Sequence, residues 1–485
     1  MLENLHYLLQ NTSINPQSLE SRLKHPIIQK AYPKRTAFVL LQKYAKDFFT
    51  QGTEPRMISL VGLRGTGKTT LMWQIADFIY KHHCAKIFFF NINILSNLGI
   101  SLLQALQEFQ KNILQKSFNQ LSEPIVFLFD EVQEDEKWAS ALKILYDEAR
   151  TAFILCTGSS ALLLKNTADL ARRMKIEKIY PFKFIEFVTA KTFLLSSETI
   201  LPEKNLSHKL KEALFFSNSA TESYEKLQNV QTNISNYFQK IQEKKWDLTE
   251  LQENYINYQN IPSFLMYKEP SAITDAILEM LKRVVYEDIP KLEGLATNLH
   301  NFHNAEKLLL RLAGSDEINP DSLSKAIGIK QLEINNLLNF LANAEILHIL
   351  PPYASFEGRI LKNRKAFFMS PSLRRALLTT IYGENLPKHF QSKLLEDTIV
   401  MYLKRILPEL IISFHSASKE ANPDIIIETR ESPIILEIGT HKKNIQQLIK
   451  VRIDSRYNLL VTDNFKEPQI KANTILVPFS WFMLL

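Results

Sequence analysis

The run Gly62-Leu63-Arg64-Gly65-Thr66-Gly67-Lys68-Thr69 narrows the folds open to this chain more than any other segment. Glycine is scarce elsewhere. There are 12 in 485 residues, and three of them fall in this one loop, whereas about 7% is usual. A chain that otherwise avoids glycine needs a local backbone reason to gather it, either positive φ or close approach. Apolar Met57–Val61 precedes the loop and is expected as a strand; Thr69–Tyr80 follows and is expected as a helix. The pattern G-x-x-x-x-G-K-[ST] between a strand and a helix makes a phosphate cradle. Backbone amides turn inward to meet phosphate oxygens, and the helix presents its positive end. Lys68 is expected to reach the β- and γ-phosphates and Thr69 to offer its hydroxyl to magnesium. Leu63, Arg64, Thr66 and Thr70 complete the expected nucleotide-contacting set with Gly62, Gly65 and Gly67.

Further strands are expected at Lys86–Ile94, Ile125–Phe129, Ala152–Cys156 and Ile176–Tyr180, with helices at Ile100–Phe118 and Trp138–Arg150. Strands alternating with helices imply a parallel sheet covered on both faces. Ile125–Phe129 is apolar throughout and ends in Asp130-Glu131. An aspartate there can hold magnesium, and the adjacent glutamate can take a proton from the attacking water. Two carboxylates at the end of a buried strand cost stability unless they serve a cation or a polar cleft. A solvated acidic turn is the plainer alternative, since Glu134, Asp135 and Glu136 follow. Thr157 or Ser159, at the end of the fourth strand, could sense the terminal phosphate. Arg172-Arg173 could stabilise transition-state charge, in cis or from a neighbouring subunit, or could be a surface pair. No Asn-Lys-x-Asp guanine tetrad follows the loop, which favours ATP over GTP.

Residues 1–56 are expected to be helical, with Ala37, Leu40, Leu41, Tyr44 and Phe48 at helix spacing. Residues 188–300 read as mostly helical and polar. Tyr224, Leu227, Ile234, Phe238 and Ile241 fit a helical hairpin or short coiled coil, or a helix packed on the domain. Asp321–Ile329 and Glu333–Ala342 form a helix, a glycine turn and a helix, with Ile346–Leu350 and Lys365–Met369 as the strands of a wing. The last hundred residues give a separate α/β unit: helices at Ser392–Ile406 and near Asn444–Ile453, and strands at Leu410–Phe414, Asp424–Thr429, Ile434–Ile438, Leu459–Thr462 and Thr474–Pro478.

Composition bounds the surroundings rather than the chemistry. Two cysteines, Cys84 and Cys156, allow no disulfide framework beyond one bridge, so a cytoplasmic location is expected. The N-terminus lacks signal-peptide features and the apolar runs are strand-sized, so no membrane is expected. The net charge of +7 permits nucleic-acid contact without demanding it.

These segments together resemble the prokaryotic AAA-like ATPases. The resemblance rests on the glycine loop, Asp130-Glu131-Val132-Gln133, Trp138, Leu142-Lys143, Thr157-Gly158-Ser159-Ser160, Leu170-Ala171-Arg172-Arg173 and Pro181–Phe187. It extends to Val285-Tyr286-Glu287-Asp288-Ile289 and Lys365-Ala366-Phe367-Phe368. It implies an α/β chain with five parts: an N-terminal helical segment (1–56), a P-loop ATPase domain (57–187), a helical lid with an insertion (188–300), a winged helix (301–385) and a C-terminal α/β domain (386–485) like the restriction endonucleases. The insertion would fall at about 195–260. The family usually has Gly-Arg where this chain has Arg172-Arg173, which puts Arg173 in the arginine position. In a nuclease-like end, Glu396, Asp424 and Glu437 would bind metal; the lysine position is Gly439, with Lys442 and Lys443 beyond the strand. The expected function is ATP binding and hydrolysis with Mg2+, coupled to DNA or a protein partner, in a homo-oligomer on the family pattern. The alternatives are an ATP-controlled nuclease and a non-hydrolysing nucleotide-switch scaffold.

Overall fold

The computed structural model describes residues 2–158, 170, 172–196, 198–288, 299–315, 317–361, 363–415, 422–440 and 445–485. Ser159, Ser160, Ala171, Ile289, Lys442 and Lys443 lie outside the described residues. The chain divides into two compact units, Met1–Ile179 and Tyr180–Leu485.

The first unit is built on five strands, β1 (Met57–Val61), β2 (Lys86–Asn91), β3 (Ile125–Asp130), β4 (Ala152–Gly158) and β5 (Lys175–Lys178). They run parallel in the order β2-β3-β4-β1-β5. Alternate side chains of β3 feed two cores. Ile125, Phe127 and Phe129 pack with Phe88, Phe90 and Phe109 on one face, and Val126 and Leu128 pack with Ile87 and Ile75 on the other. A strand buried on both faces needs no polar alternation, which is why it reads as one apolar run. Helices α1 (Leu2–Gln10), α2 (Pro16–Leu23), α3 (Thr36–Gln51), α4 (Lys68–His83), α5 (Ile92–Asn97), α6 (Leu102–Phe109) and α7 (Trp138–Glu148) cover the sheet.

Three local departures from the sequence expectation have clear causes. β2 stops at Asn91 because the Asn91 side chain accepts from Ile94 N at 3.1 Å and starts α5. The helix expected over Ile100–Phe118 stays α-helical only to Phe109, then widens to a π turn over Gln110–Leu114. Residues 1–56 are not simply helical. Thr12 and Ile14 pair with β2, through Ile14 N to Ile87 O and Phe89 N to Thr12 O, both 2.9 Å. This pairing covers the exposed edge of the sheet and fixes where α2 begins.

In the second unit, a three-stranded antiparallel sheet has the order β6-β8-β7, with β6 Glu317–Ile318, β7 Leu347–Leu350 and β8 Arg364–Phe368. It follows or interleaves with the helices Leu299–Gly314, Pro320–Ile327 and Gln331–Asn343. Gly328, at φ 85°, ends the second of these in the left-handed region and starts the turn to the third. A six-stranded mixed sheet closes the unit in the order β13-β14-β12-β11-β10-β9. Its strands are β9 Ile411–Ser413, β10 Ile425–Glu428, β11 Ile434–Gly439, β12 Tyr457–Thr462, β13 Gln469–Lys471 and β14 Thr474–Pro478. β13 was not expected from the sequence; Gln469-Ile470-Lys471 is too short and polar to stand out.

The stripe read in 224–241 lies on the helix Ala220–Glu243, which buries Leu227, Val230, Ile234, Tyr237 and Ile241. That helix packs on Leu206–Phe215 and on β13 and β14, so it is a helix packed on a domain rather than a free coiled coil. Two buried ion pairs tie the unit's helices. Arg374 meets Asp397 at 2.6 and 2.9 Å, both fully buried, and Arg405 meets Glu186 at 2.8 and 2.9 Å. Among the described residues no helix is long and apolar enough to cross a membrane.

Candidate nucleotide site

The glycine loop sits where β1 ends and α4 begins. Gly62, Gly65 and Gly67 have φ of 150°, 81° and 86°, a region costly for any residue with a side chain. Gly62 is also a close approach. A Cβ there would fall well inside van der Waals contact of Ile179 O, and the two strand ends are joined by Ile179 N to Val61 O at 2.7 Å. Gly62→Ala should therefore destabilise the first unit by about 2–5 kcal/mol, since strain and overpacking act together. Denaturant unfolding of the full chain reads this, and a loss under about 0.5 kcal/mol, the size of an ordinary surface change, would contradict the crowding argument.

The loop is braced from below. Arg35, buried at the start of α3, donates from Nη1 to Thr66 O at 2.6 Å. Thr66 Oγ1 donates to Leu63 O at 2.8 Å. Holding the Thr66 carbonyl on that side turns the following amide, Gly67 N–H, the other way, because a trans peptide sets the two antiparallel. Arg35 did not stand out in the sequence: an arginine 27 positions before the loop carries no local signal.

Lys68 is buried, and its Nζ donates to Gly62 O at 3.0 Å and Leu63 O at 3.2 Å. Thr69 Oγ1 donates to Asp130 Oδ1 at 3.0 Å. Thr157 Oγ1 donates to the same carboxylate oxygen and accepts from Glu131 N at 3.1 Å. The ends of β3 and β4 and the start of α4 thus meet at one carboxylate. Burial pushes the Asp130 carboxyl up, with the neighbouring Glu131 charge adding to it, while the hydroxyls of Thr157 and Thr69 and the Lys68 charge pull it down. A divalent cation would relieve that cost, which is the chemical fit of this group to magnesium.

Glu131 adopts φ 57°, in the left-handed region, and its carboxylate accepts from Gln133 Nε2 at 2.5 Å. A non-glycine residue held there is a strained position of the kind that gathers at functional sites. Asp135, one of the acidic residues that made a solvated turn the plainer alternative, is instead structural. It accepts from Leu102 N at 2.5 Å and Lys137 N at 2.7 Å.

Arg173 is the expectation that the structure moves. β5 pairs with β1 so that Lys175 lies opposite Ile58. Arg173 therefore sits at the sheet end where β1 begins, about 15 Å from the phosphate loop at 3.3 Å per residue. Its guanidinium grips Asp147 at 2.7 and 3.0 Å. It does not join the site of its own chain.

The carboxylates singled out near the C-terminus are only partly brought together. Ile425 lies opposite Leu436 in the antiparallel pair β10–β11, which sets Asp424 beside Glu437. Asp424 Oδ2 accepts from Ile438 N at 2.7 Å, and Glu437 is buried. Among the described residues no three His, Cys, Asp or Glu side chains gather as a metal-holding group, so Glu396 does not complete a triad with them.

Residues 54–188 match a family described as an AAA domain, and residues 253–381 match a domain of unknown function. An uncharacterized protein of Methanocaldococcus jannaschii is 27% identical over 483 residues, covering 97% of this chain and 94% of the relative. An uncharacterized protein of Haemophilus influenzae is 25% identical over 325 residues, covering 65% of this chain and 67% of the relative. Among solved structures, a Walker-type ATPase of Pyrococcus abyssi has a TM-score of 0.40 at 14% identity, covering 71% of this chain and 95% of that one. The match over residues 54–188 and the parallel five-stranded sheet with its glycine loop after β1 fit a P-loop fold.

Proposed function

We propose that this chain binds ATP with magnesium, hydrolyses it, and couples the nucleotide state to contact with DNA or a protein partner. One observation carries the hydrolytic reading: Thr69 of the phosphate loop and Asp130 of β3 meet at 3.0 Å, with Glu131 next in sequence. A bare phosphate clamp needs only the loop. A hydroxyl and a carboxylate converging beside it would supply ligands of the kind magnesium takes in P-loop enzymes, and the adjacent Glu131 would accept the proton of an attacking water. Lys68, the loop amides and the start of α4 would hold the phosphates. Bound magnesium would neutralise charge on the β- and γ-phosphate oxygens.

Coupling to a partner is supported by the second unit. The helices Pro320–Ile327 and Gln331–Asn343, the turn at Gly328 and the β7–β8 hairpin with β6 on its edge fit a winged helix. The outer face of Gln331–Asn343 exposes Gln331, Leu332, Asn335, Asn336 and Asn339. Amide side chains can hydrogen-bond adenine edges, yet cations, which dominate affinity for the phosphate backbone, are absent from the helix. Both DNA and a protein surface therefore stay within the proposal.

The test is ATP turnover by the full chain with magnesium, with a chelator, and with or without duplex DNA. Turnover that vanishes with the chelator is expected. ATP binding without turnover under all conditions would leave a nucleotide-switch scaffold instead. Stimulation by DNA would select DNA as the partner, and its absence a protein.

A further inference from the structure

We propose that Arg22, from α2, contacts the terminal phosphate of the nucleoside triphosphate bound by its own chain, a contact that Arg173 of the same chain is too far away to make. This rests on the nucleotide-binding reading above.

The guanidinium carbon of Arg22 lies 4.3 Å from the centre of the Trp73 ring and 5.1 Å from that of Phe89. Both rings point to the same place. Trp73 is four residues after Thr69 on α4, hence on the same side of that helix one turn along. Phe89 is two residues before Asn91, and Asn91 is the partner of Asp130 across β2 and β3. The guanidinium is therefore bracketed at the rim of the site where Thr69 and Asp130 meet. It is within electrostatic reach of Asp130, whose charge supports the protonated form against the lowering effect of burial.

The position is built rather than incidental. Residues 12–14 are zipped to the edge of β2. Asn15 caps α2 by accepting from Ser18 N at 2.8 Å, and Leu19 is buried in the core shared with α4. The last turn of α2 is thus held against α4 and β2. Among the described residues Arg22 makes ring contacts but no hydrogen bond or ion pair. Stacking uses the faces of the guanidinium and leaves its in-plane N–H donors for another acceptor. That fork matches the oxygens of a phosphate. An arginine fixed in advance where charge builds on the transferred phosphoryl group stabilises it without reorganisation.

The experiment compares the full-length wild type with Arg22→Ala, Arg22→Gln and Arg22→Lys, using ATP, ADP and magnesium. Arg22 is covered only in part, with its guanidinium on the two rings and the rest of the residue toward solvent, and glutamine keeps a planar group for the rings if alanine loosens α2. Expected for Ala and Gln are turnover at saturating ATP lowered about 10²-fold or more, ATP affinity lowered about 10-fold, the scale of one charged hydrogen bond, and ADP affinity unchanged. Lysine restores charge without the stacked fork and should recover only part of the turnover. A merely structural arginine would lower the melting temperature of the nucleotide-free protein and weaken ATP and ADP alike. That pattern, or wild-type turnover with wild-type preference for ATP, overturns the proposal. Failure of the wild type to bind either nucleotide would instead remove the nucleotide reading and this inference with it.

Discussion

Glu131→Gln should abolish most ATP turnover while leaving ATP bound. A positioned general base contributes about 10²–10⁴-fold to rate, and turnover is expected to fall by that factor. The substitution is close to a pure test because the structure tolerates it. The Glu131 backbone is set by φ 57° and by its N–H donating to Thr157 Oγ1, neither of which needs the side chain to be charged. The Gln133 amide donates to the Glu131 carboxylate and can donate to an amide oxygen in its place. What glutamine cannot do is accept the proton of an attacking water. Single-turnover hydrolysis and equilibrium ATP binding, measured on the same preparation, separate the two effects. Equal turnover in mutant and wild type would strip Glu131 of the base role. Lost binding would mean that the side chain shapes the site rather than the chemistry.

What the sequence disclosed, and what it withheld, follows from the range of the interactions. β1 is found as Met57–Val61, because a strand buried on both faces writes itself as a continuous apolar run. The loop was legible because positive φ at three positions leaves few residues other than glycine. Asp130 was legible because a carboxylate after five apolar residues is conspicuous. The strap at Thr12–Ile14, the brace from Arg35 to Thr66 O and the stacking of Arg22 were not, since each joins residues more than thirty positions apart without local patterning. Arg173 is absent from its own chain's site for the same reason: its place is decided by the register of β5 on β1 and by Asp147, and only the in-cis part of that expectation is thereby lost. Asp135 shows the converse: an acidic cluster looks like a solvated turn until one member proves to cap α6.

Lys68→Ala should weaken ATP binding by about 3 kcal/mol, roughly 10²-fold, the scale of a charged hydrogen bond to phosphate removed from a partly buried site. The ammonium also donates to the carbonyls of buried Gly62 and Leu63, so the melting temperature of the nucleotide-free protein is measured alongside, to separate lost bracing of the loop from the lost phosphate contact. A second consequence runs through Asp130. Its carboxyl is raised by burial, and the Lys68 charge is one of the forces pulling it back down. Magnesium requires the ionised carboxylate, so magnesium-dependent ATP binding should weaken as pH falls through the raised pKa, with the proton displacing the metal. Without Lys68 the carboxyl rises further, and the same weakening should begin at higher pH. Titrating ATP with magnesium at several pH values on both proteins reads the two effects separately, affinity at high pH for the direct phosphate contact and the midpoint of the fall for the coupling. An unaltered midpoint would mean that Lys68 acts on phosphate alone. Unaltered affinity would remove the phosphate cradle from the account, and Thr69, Asp130 and Glu131 would then need another ligand to explain their convergence.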